Sequence, residues 1–294
     1  MVPTALKRVG KGMNDRMKFT KMHGCGNDYV YVNCLEETVK HPDKVAQFVS
    51  DRHFGIGSDG LILIEPSEVA DFCMAMYNAD GSRGEMCGNG IRCVAKYLYD
   101  SGMTKSKTNI KIETLSGVKT ADILENSGNE SMIKVDMGKA DLNPANIPII
   151  SEKEKVVNEP VTVNSDTYNI TCVSMGNPHC VIFCNEVYSA SVKEIGSKLS
   201  SHRIFPEGVN VEFVSKVDSE NLTMRVWERG SGETLACGSG ACASVVAATE
   251  NGLCEKGKDV AVHLRGGKLI VNYSDKGVFL TGNAIKVFEG EIEV

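Results

Sequence analysis

Two cysteines in this 294-residue chain are each followed by a glycine-rich turn, Cys87 in MCGNGIRC and Cys237 in ACGSGACA. They lie 150 residues apart, close to half the chain, which points to an internal duplication with one reactive thiol in each half. Thiols suit proton transfer at carbon, because their ordinary pKa lies near neutral pH and one of a pair can be thiolate while the other is thiol. Two such groups on opposite faces of one carbon are what stereoinversion requires: one removes the proton and the other returns a proton from the far side. The glycines let the backbone come close to a ligand. A helix starting at each cysteine would add unpaired N–H groups and about half a positive charge. Such an end binds a carboxylate and can lower a thiol from ~8.5 into the range ~3.5–7.5.

The elements that position the thiols repeat as well. Gly26-Asn27 is matched by Gly176-Asn177, again 150 residues on, and a polar helical stretch from about Asp43 is echoed by one from about Val192. Gly60, leading into LILIE, is paired with Gly208, leading into VNVEF, at an offset of 148. Most other segments are short and β-rich, among them YVYVN, DFCMAMY, MIKVDM and KLIVNY. The helices after the cysteines differ: Ile91, Val94, Ala95 and Leu98 recur at helical spacing, and ACASVVAAT is small or apolar on every side. Both reach a C-cap glycine, Gly102 and Gly252, 15 residues after the cysteine. The expected fold is α+β: two pseudo-symmetric domains, each a largely antiparallel barrel-like sheet around a buried central helix.

Composition excludes several classes. A net charge of −6 with no basic block argues against nucleic acid, and no apolar run approaches the roughly 20 residues of a membrane-spanning helix. Residues 1–16 are basic without an apolar core, so they read as a disordered extension rather than a secretory signal. Eleven cysteines, an odd number with no CxxC pair, indicate a reducing, cytoplasmic setting. His179, Cys180 and Cys184 alternate along one strand, so they do not converge on a metal. No pyridoxal, flavin or dinucleotide motif is evident, and the expected chemistry needs no cofactor.

GCGNDYVYVN, DRHFGIGSDGLILIE, YNADGSRGEMCGNGIRCVA, VSMGNPHCVIF, FPEGVNVEF and VWERGSGETLACGSGACAS occur in this order over nearly the whole chain from Met17. Together they resemble the diaminopimelate epimerase family. The two cysteine motifs alone would match only the wider cysteine-pair racemase group; NADGS, GNPH and WERG make the resemblance specific. It implies interconversion of LL- and meso-diaminopimelate, in the supply of lysine and peptidoglycan precursors, by a cytoplasmic homodimer. By the same resemblance Cys87 and Cys237 are the two acid/base residues, and His179 and Glu228 assist them. Gly88, Asn89, Gly238 and Ser239 hold the reacting carboxylate, and Asn27, Asn78, Asn177, Asn210, Glu228 and Arg229 line the rest of the site. The family's C-terminal strand returns to the first domain, giving expected domains of 17–131 plus 283–294, and 132–282.

Read from chemistry alone, a substrate with carboxylates at both ends needs a second anchor, and Arg229 can bind one bidentately. Glu228 and Arg229 are neighbours on a strand, so reaching one site requires an irregularity near Gly230. Many family members carry glutamine where Gly60 stands, and Phe288 falls where a tyrosine is associated with dimer packing. Two other readings stay open at this point: another cofactor-free amino acid racemase, for example one acting on histidine, and a non-catalytic protein that grips a small carboxylate.

Overall fold

Alternating apolar residues make the strands. On Pro178–Phe183, for example, odd-numbered Val181 and even-numbered Cys180 and Ile182 enter two different buried clusters, as expected of a strand covered on both faces. The computed structural model describes residues 16–294. The expected extension over residues 1–16 lies outside the described residues except for Arg16, which begins the first strand. The first half runs β1 (Arg16–Gly24), β2 (Asn27–Asn33), α1 (Pro42–Ser50), β3 (Gly60–Glu65), β4 (Phe72–Asn78) and β5 (Arg83–Gly84). It continues with α2 (Gly88–Asp100), β6 (Asn109–Thr114), β7 (Gly117–Ser127) and β8 (Glu130–Gly138). The second half runs β9 (Glu159–Val163), β10 (Asp166–Ser174), β11 (Pro178–Phe183), α3 (Val192–Ser200), β12 (Asn210–Lys216) and β13 (Asn221–Glu228). Then come β14 (Gly232–Glu233), α4 (Gly238–Glu250), β15 (Asp259–Leu264), β16 (Gly267–Ser274) and β17 (Gly277–Glu293).

Pairing closes two barrels. In the first, β1, β2, β3, β4, β6, β7, β8 and β17 follow one another and β17 returns to β1. In the second, β10, β11, β12, β13, β15, β16, β17 and β8 do the same. It closes through a bridge between Asp141, just beyond β8, and Ser174 at the end of β10. Strands β8 and β17 therefore belong to both. Within β17, residues 277–281 pair with β16 and residues 285–293 with β1.

Each barrel is filled by one helix, as expected. In α4 every residue from Gly240 to Ala248 is buried, and in α2 Ile91, Val94, Ala95 and Leu98 enter the same continuous core. Both helices end alike: Met103 N–H bonds Leu98 O at 3.1 Å and Leu253 N–H bonds Ala248 O at 2.8 Å, around Gly102 and Gly252 at positive φ. Helices α1 and α3 lie outside the barrels, over separate apolar clusters.

The duplication holds more tightly than the glycine landmarks suggest, with one correction. Parallel pairing of β2 with β3 sets Tyr29 beside Gly60, and pairing of β11 with β12 sets His179 beside Asn210. The counterpart of Gly60 is thus Asn210 at an offset of 150, not Gly208. A glycine-rich loop can differ by two residues between copies, whereas the strand ladder keeps its partners, so the paired positions are the better guide to equivalence.

Candidate active site

Cys87 and Cys237 are the N-caps of α2 and α4, and their backbones are extended in the same way. Each sulfur accepts a hydrogen bond from the backbone N–H three residues on, Gly90 and Gly240, at 3.3 Å in both cases. The first-turn N–H groups that follow have no intrahelical acceptors and face outward from the helix end. The two helix ends meet. A Cβ built on Gly238 would lie 3.5 Å from the Gly88 Cα and 3.1 Å from Leu280 Cδ2, and one on Gly88 would lie 3.2 Å from the same leucine methyl. Glycine at both positions is therefore what allows the helix ends to approach over Leu280 of the shared strand β17.

Around Cys87 the polar groups form one chain. The thiol donates to Asn27 Oδ1 at 3.2 Å, Asn89 Nδ2 approaches the same oxygen at 3.4 Å, and Asn27 Nδ2 donates to Asp59 at 2.8 Å. Arg92, fully buried one turn into α2, donates to Gly88 O, Asn89 Oδ1 and Asn283 O. Those bonds tie the helix start to β17. Around Cys237 the neighbours are Ser239 Oγ at 3.5 Å, Asn177, whose Nδ2 donates to Ser239 at 3.3 Å, and His179, whose Nε2 lies 3.0 Å from Asn177 Oδ1. His179 Nδ1 sits 2.7 Å from Glu212 Oε1, with both side chains fully buried.

Glu228 ends β13, held by the Thr234 hydroxyl, and its charge acts on both thiols. The chain turns immediately after it, with Gly230 at positive φ, which supplies the irregularity expected there. Arg229 goes elsewhere: its guanidinium donates to Glu207 O at 2.8 Å and its side chain packs on Gly208. Asn210, also buried, spends its amide on Pro178 O and the Arg229 N–H, and Asn78 donates to Ser82. Asn27, Asn89, Asn177, Ser239 and His179 thus join the thiols in two hydrogen-bonded groups. Asn78, Asn210 and Arg229 form the framework beside them.

The expected lowering of the thiols is not what the site does. Burial raises Cys87, with the Gly90 and Asn89 N–H groups opposing it, and raises Cys237 further, with Glu228 and Glu212 adding to the effect. Desolvation outweighs the helix end at both sulfurs, more so at the buried Cys237 than at the half-buried Cys87. Burial likewise raises the Glu228 carboxyl. A thiolate made in such a place is a stronger base than an exposed one, which fits removal of a weakly acidic proton from carbon.

Sequence reasoning missed Asp59, Arg92, Glu212 and Tyr29. Arg92 and Glu212 carried a signal, a charge inside an otherwise apolar helix or strand. Tyr29 explains Gly60: a Cβ there would lie 2.2 Å from Tyr77 O and 2.7 Å from the Tyr29 ring, so the tyrosine fills the space of a side chain at 60. Its hydroxyl is raised by burial and by the Cys87, Asp59 and Glu228 charges nearby.

This two-barrel arrangement with paired helix ends is a fold shared with solved epimerase and phenazine-biosynthesis structures. A hydroxyproline epimerase from Agrobacterium vitis superposes with a TM-score of 0.73 at 15% identity, covering 97% of this chain and 94% of that one. A phenazine biosynthesis protein of the PhzF family from Bacillus anthracis gives a TM-score of 0.67 at 16% identity, over 96% and 100%. Sequence comparison is narrower. The chain matches the family described as diaminopimelate epimerase over residues 19–143 and 171–287. It is 54% identical over 280 residues to the diaminopimelate epimerase of Acetivibrio thermocellus, covering 95% of this chain and 99% of that protein. With the Methanococcus maripaludis diaminopimelate epimerase the identity is 50%, over 95% and 100%. The chain belongs to the diaminopimelate epimerase family.

Proposed function

We propose that this protein, like relatives named diaminopimelate epimerase, epimerises diaminopimelate, interconverting its LL and meso forms with Cys87 and Cys237 as the two acid/base groups. The observation that carries the assignment of roles is the meeting of two equivalent, thiol-capped helix ends over Leu280. The reacting α-carboxylate is gripped by the first-turn N–H groups of Gly88 and Asn89 on one side and Gly238 and Ser239 on the other, where helix charge favours an anion. One thiolate takes the α-proton, the electron pair stays on the carbon and its carboxylate, and the opposite thiol delivers its proton to the other face. The sulfurs exchange protonation states in each turnover, and the reverse reaction uses them in exchanged roles.

The polar groups divide the remaining work. Asn27 and Asn177, one in each half, flank the sulfurs, while His179 and Glu228 set the charge around them. Asn78, Asn210 and Arg229 line the distal end, where Arg229 turns from the Glu207 carbonyl to a carboxylate. The lobes are residues 17–131 with 283–294, and 132–282, and the substrate binds between them. The protein works as a homodimer through the end of β17, which exposes Val287 and Phe288. Light scattering should then give about twice 31.8 kDa, and a single-chain mass would remove that part of the reading. Eleven free cysteines suit the reducing conditions of the cytoplasm, and among the described residues no helix is long and apolar enough to cross a membrane.

The test is proton NMR of the reduced protein with LL-diaminopimelate in D₂O. Loss of the α-proton signal with appearance of the meso isomer supports the reading. Exchange with a different amino acid instead would keep the chemistry and move the substrate, and no exchange with any would leave the cysteines structural.

A further inference from the structure

The two halves differ where they should match. Tyr29 and Ile62 in the first half occupy the positions of His179 and Glu212 in the second, so one barrel carries a neutral pair where the other buries an imidazole and a carboxylate. Glu212 is fully buried, its Oε1 lies 2.7 Å from His179 Nδ1, and its Oε2 has no hydrogen-bond partner among the described residues. A carboxylate so placed is costly unless its charge is matched. The match is the ring beside it. His179 Nε2 faces Asn177 Oδ1, an acceptor, and must carry a proton, while the contact with Glu212 holds a second between Nδ1 and Oε1. The pair as a whole is then neutral.

We propose that Glu212 is a positioning residue for the Cys237 half of the site, fixing the His179 ring so that Nε2 bears a proton and a directional chain of donors ends on the Cys237 sulfur. His179 Nε2–H donates to Asn177 Oδ1, which leaves Asn177 Nδ2 to donate to Ser239 Oγ, and Ser239 then has its own O–H for the sulfur 3.5 Å away. Each link is a donor because the one before it has taken the acceptor. The chain favours thiolate at Cys237, against the Glu228 and Glu212 carboxylates, which are the charged groups facing that sulfur from β13 and β12. Cys87 has no equivalent chain, since its thiol faces an acceptor, Asn27 Oδ1. The inference rests on the catalytic role given to Cys237 above.

The experiment is ¹⁵N NMR of histidine-labelled protein, with the His179 ring identified by its loss in His179→Asn, combined with kinetics of Glu212→Gln. The unsubstituted protein should show an exchange-protected Nε2–H signal for His179, and Glu212→Gln should lose it. In the same variant kcat/KM should fall between about 10- and 100-fold, the size of one charge-assisted hydrogen bond, and the limb of its pH profile that reports thiolate formation should move to higher pH. A purely structural glutamate would alter the melting temperature and leave that limb in place. An unprotonated Nε2 in the unsubstituted protein would overturn the proposal, and so would an unchanged pH profile in a folded variant. The ring signals need neither the variant nor the activity. Should the variant not fold, they decide alone; should diaminopimelate not be the substrate, only the reading under Proposed function fails.

Discussion

At the scale of single residues, equivalence of the thiols makes a sharp prediction. Cys87→Ala and Cys237→Ala should each slow interconversion by roughly 10²–10⁴-fold, the range for loss of an acid/base group. Each variant keeps one sulfur, so each should still exchange the α-proton of the isomer that presents it to that sulfur. NMR in D₂O should find the two variants exchanging opposite isomers; the same isomer in both would contradict a two-sided site. Glu228 offers a second test through stability. Burial raises its carboxyl, so the folded protein keeps a proton that the unfolded chain releases in the usual glutamate range. The stabilisation is complete below that range and is lost as pH rises from it towards the folded value. Urea unfolding should therefore show wild type losing stability relative to Glu228→Gln over this interval, and parallel curves would mean that the carboxyl is not held protonated. The cysteines and Glu228 were legible as candidates because thiols beside glycines and acids at strand ends are few. Asp59 and Tyr29 were not, because what marks them is the neighbour each touches across the sheet.

At the scale of elements, the helices are specified at both ends. Cysteine caps start them, and Gly102 and Gly252, at φ of 73° and 69°, stop them with open space where a Cβ would go. Steric room is thus not the issue, only backbone conformation. Gly102→Ala and Gly252→Ala should each cost about 1–2 kcal/mol, the penalty of the left-handed region, with asparagine milder. Equal stability of the alanine variants in denaturant would count against that account of the helix ends. Buried helices were readable from composition, since ACASVVAAT has no polar face to offer water. Arg92 and Lys96 were not readable as core residues. Arg92 is buried because Gly24 and Gly282 leave space for the guanidinium, and Lys96 because Asp100, Asn126, Gly128 and Ser131 surround its ammonium.

At the scale of the molecule, the site lies between two barrels that share only β8 and β17, and the turn bearing Asn27 packs on the second half. A Cβ at Gly266 would fall 1.8 Å from Cys25 O, so the halves touch backbone to backbone there. Substrate gripped by both helix ends should draw the lobes together and shed water. Small-angle scattering should give a smaller radius with a tight-binding substrate analogue than without, and superimposable profiles would exclude closure. Sequence alone determined the duplication, the thiol pair, the buried helices and the family, because these reside in local pattern: spacing, periodicity and caps act within a few residues of themselves. Tertiary structure alone decided which polar groups meet, the equivalence of Gly60 with Asn210 between the halves, and the direction in which the thiols shift. Those depend on ladder register and on exclusion of water, and both come from residues far apart in the chain packing against one another.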